Sequence, residues 1–205
     1  MAPLFWIVGS IPDLVLTLPA IMVGVWLGAN VGLGTRDSQR LLDHRSSFRR
    51  WRRTTLPFAA TLGLAATTCF FLIDLGFFIH LRRNYPLVPV YGPTRVVRLP
   101  PSWTGCRAAI GAAIREEIWF RLGVMTTMIW LGFKLFRRHA QGAVIWTAIV
   151  LAALLFGAIH PPQTFPLFGR SPAAARFVLL GNGLAGAVFG WLYWRRGLAS
   201  AMLAR

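Results

Sequence analysis

Long apolar runs alternate with short polar segments along the chain, and this pattern predicts helices that cross a membrane. A spanning helix needs about 20 predominantly apolar residues. Five regions approach or exceed that length: Pro3 to Leu33, Leu56 to Ile79, Cys106 to Phe136, Gly142 to Ile159 and Phe177 to Trp194. Gly197 to Arg205 is too short to span and predicts only the start of a further helix. We therefore expect an all-α membrane protein, a polytopic bundle of about five spanning helices plus the start of another.

Prolines modify this prediction in three places. Pro12, Asp13 and Pro19 interrupt the first run, which predicts a short interfacial piece followed by a kinked span. Leu81 to Gly105 contains five prolines and predicts an irregular connection. Pro172 is expected to open the last full span, since proline is favoured in the first helical turn. Gly181-Asn182-Gly183 predicts a packing point or a kink in that span.

The charge distribution favours a membrane over a nucleic acid as the partner of the basic residues. The chain is 56% hydrophobic with a net charge of +16. Its basic residues cluster between apolar runs: seven arginines in Thr35 to Arg53, which we expect to be a polar loop, then Lys134 to His139, and Arg195-Arg196. Such clusters are typical of cytoplasmic segments beside anionic lipids. We expect no nucleic-acid partner, an external N-terminus, and a multi-pass protein of the cell membrane, specifically the bacterial inner membrane.

Domain organisation follows the same runs. Residues 1–55 are expected to form an N-terminal membrane segment and a basic cytoplasmic loop, and residues 56–105 the second span with its proline-rich connection. Residues 106–205 are expected to form the functional core. Two cysteines at unrelated positions predict neither a disulfide framework nor a metal motif. No cofactor is expected.

The strongest candidate for chemistry is a pair of adjacent acids in the third apolar run. Glu116 and Glu117 are the two glutamates of the chain. A charged side chain near the bilayer centre costs roughly 2.5–3.5 kcal/mol, so function is the default hypothesis for such residues. In a regular α-helix Glu117 and Arg121 share a face and can form an ion pair, whereas Glu116 points elsewhere and is free for chemistry. The alternative is that both acids only anchor the helix or pair with arginines.

His160 ends an uncharged span, one turn after Phe156. Taken alone, it is best explained as an interfacial anchor, although an imidazole also suits the activation of water. Trp103, Trp191, Tyr193 and Trp194 fit an aromatic belt at the membrane interface.

Glu116-Glu117-x-x-x-Arg121, followed one helix later by Phe156-x-x-x-His160, resembles the CAAX prenyl protease and bacteriocin-processing family of intramembrane endopeptidases (CPBP, also called Abi). Phe189 to Leu198 resembles the family's glycine-containing helix and basic-glycine turn. The resemblance implies an all-helical fold with a conical cavity. It implies that Glu116 is the general base, that His160 positions the water or stabilises the oxyanion, and that Glu117 and Arg121 hold the helix and the substrate backbone. It also implies a hydrophobic or lipidated peptide substrate.

The family's third motif, His-x-x-x-Asn or His-x-x-x-Asp, is not matched. Arg205 stands where its histidine would align, and a cation acts neither as a base nor as a neutral ligand for water. One hypothesis is therefore an active intramembrane peptidase, and the second is an impaired or truncated member that acts as a non-catalytic immunity or sorting factor. A third hypothesis, a metal enzyme using Glu116, Glu117 and His160, is disfavoured because adjacent glutamates project about 100° apart on a regular helix.

Overall fold

A computed structural model of the chain describes residues 2–33, 45–84, 102–136, 141–162 and 172–205. Within these residues all regular structure is helical, in the order α1 (Ala2–Val31), α2 (Arg45–Asn84), α3 (Ser102–Glu117), a π-helix (Ile118–Met125), α4 (Thr126–Leu135), α5 (Gln141–Ala158), α6 (Pro172–Arg196) and α7 (Leu198–Ala204). Five stretches are long and apolar enough to cross a membrane: Asp13–Val31, Trp51–Phe77, Ile110–Leu135, Gln141–Ala158 and Pro172–Arg196. The predicted all-α polytopic bundle is confirmed.

The first two helices differ from the prediction at their N-terminal parts. α1 is one continuous helix through Pro12 and Pro19, so the expected break between an interfacial piece and the span is wrong. Proline is tolerated in membrane helices because neighbouring groups satisfy the freed backbone. α2 begins at Arg45, so Arg45 to Arg53 is helical and not loop. This segment contains no proline or glycine, and arginine is a good helix former. The expected irregular connection, Leu81 to Gly105, is shorter than predicted, because residues 81–84 belong to α2 and residues 102–105 to α3. Residues 85–101 are outside the described part of the chain.

The third span is not the uniform α-helix that we expected. Its middle section, Ile118–Met125, is a π-helix, in which hydrogen bonds run between residues five apart. The backbone N–H of Thr126, at its C-terminal end, donates to the Arg121 carbonyl. α1 packs directly against this section. A Cβ on Gly24 would lie 2.3 Å from the Leu122 carbonyl oxygen, so only glycine allows the approach.

α5 and α6 pack closely through small residues. A Cβ on Gly157 would lie 2.5 Å from the Leu179 carbonyl oxygen and 3.1 Å from the Gly183 nitrogen, and one on Gly186 would lie 2.9 Å from Ala153 Cα. Small residues allow this approach of two backbones, as is usual between membrane helices. Of the two roles predicted for the Gly181–Gly183 segment, packing is therefore observed at Gly183. A kink is not, because α6 is continuous there.

α7 confirms the predicted further helix and turns back into the bundle. Gly197 between α6 and α7 has φ 81° and ψ 173°, a conformation essentially restricted to glycine. Arg196 Nη1 lies 3.5 Å from Thr55 Oγ1 in α2, and α7 then follows α2 until Ala204 packs on Gly63. The start of α2 and the end of α6 therefore lie at one end of the bundle, which we call the basic end.

Candidate functional site

A buried ion pair forms the base of the site. Arg121 Nε lies 3.1 Å from Glu117 Oε2, and the side chains are only 1% and 0% exposed. The predicted pairing of these two residues is confirmed. Arg121 also donates from Nη2 to the Gly186 carbonyl of α6 at 3.1 Å, which ties the π-helix to α6 through a charged group. Its Nη1 is buried and has no hydrogen-bond partner among the described residues.

Glu116 faces His160 across the site. Glu116 Oε2 and His160 Nε2 are 3.8 Å apart, and both side chains are largely buried, with 16% and 14% exposed. This distance exceeds a direct hydrogen bond and is short enough for one bridging water. His160 Nδ1 lies 2.6 Å from the Phe156 carbonyl oxygen. Because a carbonyl only accepts, Nδ1 carries a hydrogen, and Nε2 is the ring nitrogen that faces Glu116. His160 is largely buried beside Glu116, which does not fit the role of an interfacial anchor that its sequence position alone suggests.

Arg205 joins both glutamates. Its Nη2 contacts Glu116 Oε2, and its Nη1 lies 3.2 Å from Glu117 Oε1. Glu116, which we expected to be free, therefore has an arginine partner. A guanidinium presents donors at two edges, so one arginine reaches adjacent carboxylates that a single small ion would not. The two carboxylates of the cluster are balanced by its two guanidinium groups. Such balance is what a charged cluster needs away from water.

Two phenylalanines form the apolar wall over the charges. The guanidinium carbons of Arg121 and Arg205 lie 5.1 Å and 4.9 Å from the Phe156 ring centroid. The same two groups lie 5.9 Å and 6.0 Å from the Phe189 ring centroid. These distances fit cation–π contacts, which gain strength where water is excluded. Phe156 also packs edge-on against Phe120, with ring centroids 5.1 Å apart. Phe156 thus supports the arginines with its ring and His160 with its carbonyl.

α1 contacts the third span next to the two glutamates. Arg115 Nη1 lies 2.7 Å from Asp13 Oδ2, and both side chains are partly exposed. Trp119 Nε1 donates to Thr17 Oγ1 at 2.8 Å. Both contacts place α1 beside the segment that carries Glu116. The sequence pattern did not indicate them, because nothing in the spacing of α1 relates it to a helix about a hundred residues away.

Three site residues were missed or misplaced by sequence reasoning. Tyr193 was assigned to an interfacial belt, but it is only 1% exposed, and its hydroxyl lies 2.8 Å from Thr126 Oγ1. Thr126 received no role. Arg205 was aligned with a motif position but not expected to touch the acids. The burial of Tyr193 could have been inferred from its spacing. It lies seven residues after Gly186, and residues seven apart lie on nearly the same face of a helix.

In the described part of the chain, no group of three histidine, cysteine or acidic residues is arranged to hold a metal ion.

The family model described as type II CAAX prenyl endopeptidase Rce1-like matches residues 98–205. This range is more than half of the chain, and it contains every charged residue of the cluster. The chain belongs to the Rce1-like family. The Rce1-like family is one of CAAX-type endopeptidases, which identifies the chain at that level as a multi-pass membrane protein of a protease family. Neither a curated protein nor a solved structure shows a significant match to the chain.

Proposed function

We propose that this Rce1-like protein is an intramembrane endopeptidase that hydrolyses a peptide bond with water activated by Glu116 and His160. The observation that carries this proposal is the 3.8 Å separation of Glu116 Oε2 and His160 Nε2 in a largely buried site. A water about 2.8 Å from each atom can donate one hydrogen to the carboxylate and one to the imidazole nitrogen. Its lone pair is then directed away from both groups, as an attacking nucleophile requires.

The proposed reaction needs only the groups of this cluster. Glu116 takes a proton from the water as the hydroxide oxygen attacks the carbonyl carbon of the substrate. The carbonyl oxygen becomes an oxyanion, which an adjacent guanidinium can stabilise. The protonated Glu116 then gives its proton to the leaving amine as the C–N bond breaks. The second hydrogen of the attacking water remains on the new carboxyl group and then passes to the amine. The products are therefore a carboxylate and a protonated amine, and Glu116 returns to its ionised form.

Arg121 is proposed to hold the substrate backbone. Its Nη1 has no hydrogen-bond partner among the described residues. A buried donor without a partner costs about 1–3 kcal/mol. A peptide carbonyl in the site can accept from this atom and remove that cost. Glu117 keeps the guanidinium charge balanced, and Phe156 fixes its plane. The substrate in this proposal is a hydrophobic or lipidated peptide that reaches the site within the membrane, and we place the protein in the bacterial inner membrane.

The direct test is Glu116→Gln in purified protein reconstituted into liposomes with a prenylated peptide. Loss of a general base typically costs about 10²–10⁴-fold in rate, so cleavage should become undetectable. Asp13→Asn is the matched control, because it is the same carboxylate-to-amide change at a partly exposed ion pair. It should retain most activity. Unchanged cleavage by Glu116→Gln would show that Glu116 is not the base.

The second candidate function is a non-catalytic membrane factor built on the same fold. Arg205 favours it, because its guanidinium contacts Glu116 Oε2, the oxygen that faces His160. A guanidinium at that oxygen competes with water for the same lone pairs. In this arrangement the acids are satisfied by Arg205, and the protein acts through binding, as an immunity or sorting factor.

Arg205→His separates the two functions. The substitution removes the competing cation and supplies an imidazole in its place. If Arg205 holds the site inactive, the variant should gain at least about a tenfold rate over the parent, as expected for an added acid–base group. Arg205→Ala is the control that removes the cation without adding an imidazole. A parent protein that already cleaves, and is slowed by both variants, would instead make Arg205 part of the catalytic machinery.

A further inference from the structure

A buried chain of hydrogen bonds connects α6 to the π-helix behind the charged cluster. Thr126 Oγ1 lies 3.0 Å from the Arg121 carbonyl oxygen and 2.8 Å from the Tyr193 hydroxyl. Thr126 has one hydroxyl hydrogen, and the carbonyl can only accept it. Tyr193 must therefore donate to Thr126, which in turn donates to Arg121. Thr126 and Tyr193 are 0% and 1% exposed, so no solvent replaces either bond.

The accepting carbonyl is the one that closes the π-helix. The Thr126 backbone N–H also donates to the Arg121 carbonyl, five residues earlier. The Arg121 carbonyl thus receives two hydrogen bonds from one residue, and the second is held in place by Tyr193. A π-helix is rare and is usually limited to a single turn. An eight-residue π-helix therefore requires contacts beyond its own backbone, and the hydroxyl chain is a contact that acts on its last ring.

Arg121 is in this way attached to α6 at both of its ends. Its guanidinium donates to the Gly186 carbonyl, and its own carbonyl is linked through Thr126 to Tyr193. Gly186 and Tyr193 are seven residues apart in one helix, about 10 Å along its axis. The two attachments set both the position of Arg121 and its rotation about the helix axis. Since Glu116 and Glu117 precede the π-helix directly, rewinding it as an α-helix would rotate both carboxylates relative to α4 and α6.

We propose that Thr126 and Tyr193 are positioning residues, whose hydrogen-bond chain maintains the π-helix and thereby orients Glu116, Glu117 and Arg121 toward His160. This inference rests on the proposed function for its catalytic consequence only. Neither residue touches the reacting atoms. Their effect on turnover is transmitted through the winding of Ile118–Met125.

The variants that test this remove single hydroxyl groups. Thr126→Val keeps the shape of the side chain without its hydroxyl, Thr126→Ser keeps the hydroxyl, and Tyr193→Phe removes one oxygen atom. Thr127→Val is the matched control. Thr127 is the next residue in α4, and its hydroxyl donates at 2.8 Å to Gly123 O, four residues earlier, as in an ordinary helix.

Two measurements are made on each variant in liposomes or detergent. Hydrogen exchange of peptides covering residues 118–126, followed by mass spectrometry, reports the winding without any need for activity. Steady-state cleavage of a prenylated peptide reports kcat and KM. A misplacement of about 1 Å can cost about 100-fold in rate, so we expect kcat to fall at least about tenfold in Thr126→Val and Tyr193→Phe with KM nearly unchanged. Exchange in the segment should rise in both, and Thr126→Ser and Thr127→Val should resemble the parent.

The outcomes are distinguishable from failure of the proposed function. If the parent does not cleave but exchange responds as expected, the proposed activity fails and the role in maintaining the π-helix stands. Unchanged exchange in both Thr126→Val and Tyr193→Phe overturns the inference, whatever the activity. Raised exchange with an unchanged kcat overturns the positioning role. If Thr126→Val does not fold, Tyr193→Phe decides alone, and a double variant no worse than either single one confirms that both hydroxyls act through one chain.

Discussion

Glu117 and Arg121 are both buried and pair in the interior of a spanning segment. Asp13 and Arg115 form an ion pair of similar length, but their side chains are 45% and 38% exposed. The two pairs therefore differ in environment more than in geometry. Removing one partner of a buried pair leaves an uncompensated charge. A partly exposed pair that includes the first residue of a span, as Asp13 is, is worth less because the polar membrane interface compensates each charge.

This contrast predicts different stabilities for two equivalent substitutions. Glu117→Gln should lower the free energy of unfolding by about 3–5 kcal/mol. Asp13→Asn should lower it by no more than about 1 kcal/mol. Unfolding in mixed micelles with increasing sodium dodecyl sulfate, followed by circular dichroism, measures both. Equal losses in the two variants would show that burial does not set the value of the Glu117–Arg121 pair.

Sequence reasoning reached some of these residues and not others, for physical reasons. The Glu117–Arg121 pair followed from local helix geometry, since residues four apart meet on one face. The approach of His160 to Glu116 depends on how α5 packs against the π-helix, which no spacing encodes, and only the family resemblance indicated it. The contact of Arg205 with both acids depends on the reversal of the chain at Gly197, and a motif alignment does not describe a reversal.

At the scale of elements, the packing of the helices depends on a few glycines, at which the backbones of two helices come close together. Gly157 in α5 faces the Leu179 carbonyl of α6 and lies three residues before His160, which approaches Glu116. At Gly142, near the start of α5, no described atom lies within 4 Å of the position that an added methyl group would take. The two glycines of one helix thus differ in whether a methyl group has room.

Gly157→Ala should therefore destabilise the protein by about 1–3 kcal/mol, the usual cost of overpacking, and should displace His160 from Glu116. Gly142→Ala should be neutral or slightly stabilising, because alanine is the better helix former. Thermal unfolding in detergent compares the two, and cleavage of a prenylated peptide shows whether the site is affected. A stable and active Gly157→Ala protein would contradict the close packing of α5 and α6.

Element positions were predictable where the bilayer dictates them. The span expected at Gly142 to Ile159 is observed at Gln141–Ala158, since bilayer thickness sets the length of an apolar helix. The π-helix was not predictable. Apart from Gly123, its residues, Ile118 to Met125, are ordinary helix formers in sequence. Its winding goes with contacts to α1 and the hydrogen bond from Tyr193. The continuity of α1 was not predictable either. Its prolines suggest a break, but the helix continues through them and packs against the π-helix.

At the scale of the whole molecule, three described elements that carry basic residues meet at one end of the bundle. Arg196 meets Thr55 near the start of α2. Trp194 packs against Trp146 in the first half of α5, with ring centroids 5.9 Å apart. The end of α4, which carries Lys134, adjoins the same half of α5 because Gly132 packs on Val144. The described residues of the three basic clusters thus lie at the same end of the bundle, as the sequence pattern predicts. That this end is cytoplasmic stays a prediction.

Topology can be measured by labelling single cysteines with a membrane-impermeant maleimide in a background without Cys69 and Cys106. Arg53→Cys and Arg195→Cys are exposed positions at the basic end and should be labelled only in inverted vesicles. Ala173→Cys, exposed at the opposite end of α6, should be labelled only in intact cells. Labelling of Arg53→Cys and Arg195→Cys from different sides would contradict the fold, and labelling of both from outside would reverse the orientation.

α7 runs back along α2 from the basic end, and its length sets the depth of Glu116 and Glu117 below that end. Arg196 is level with Thr55, and Ala204 is level with Gly63, so the descent is about eight helical residues, or roughly 12 Å. The hydrocarbon core is about 30 Å thick. An extended peptide covers about 12 Å in roughly four residues. On the proposed chemistry, a substrate entering from the basic end needs to insert only a short, unfolded tail to meet Glu116, and a full transmembrane helix does not have to unwind.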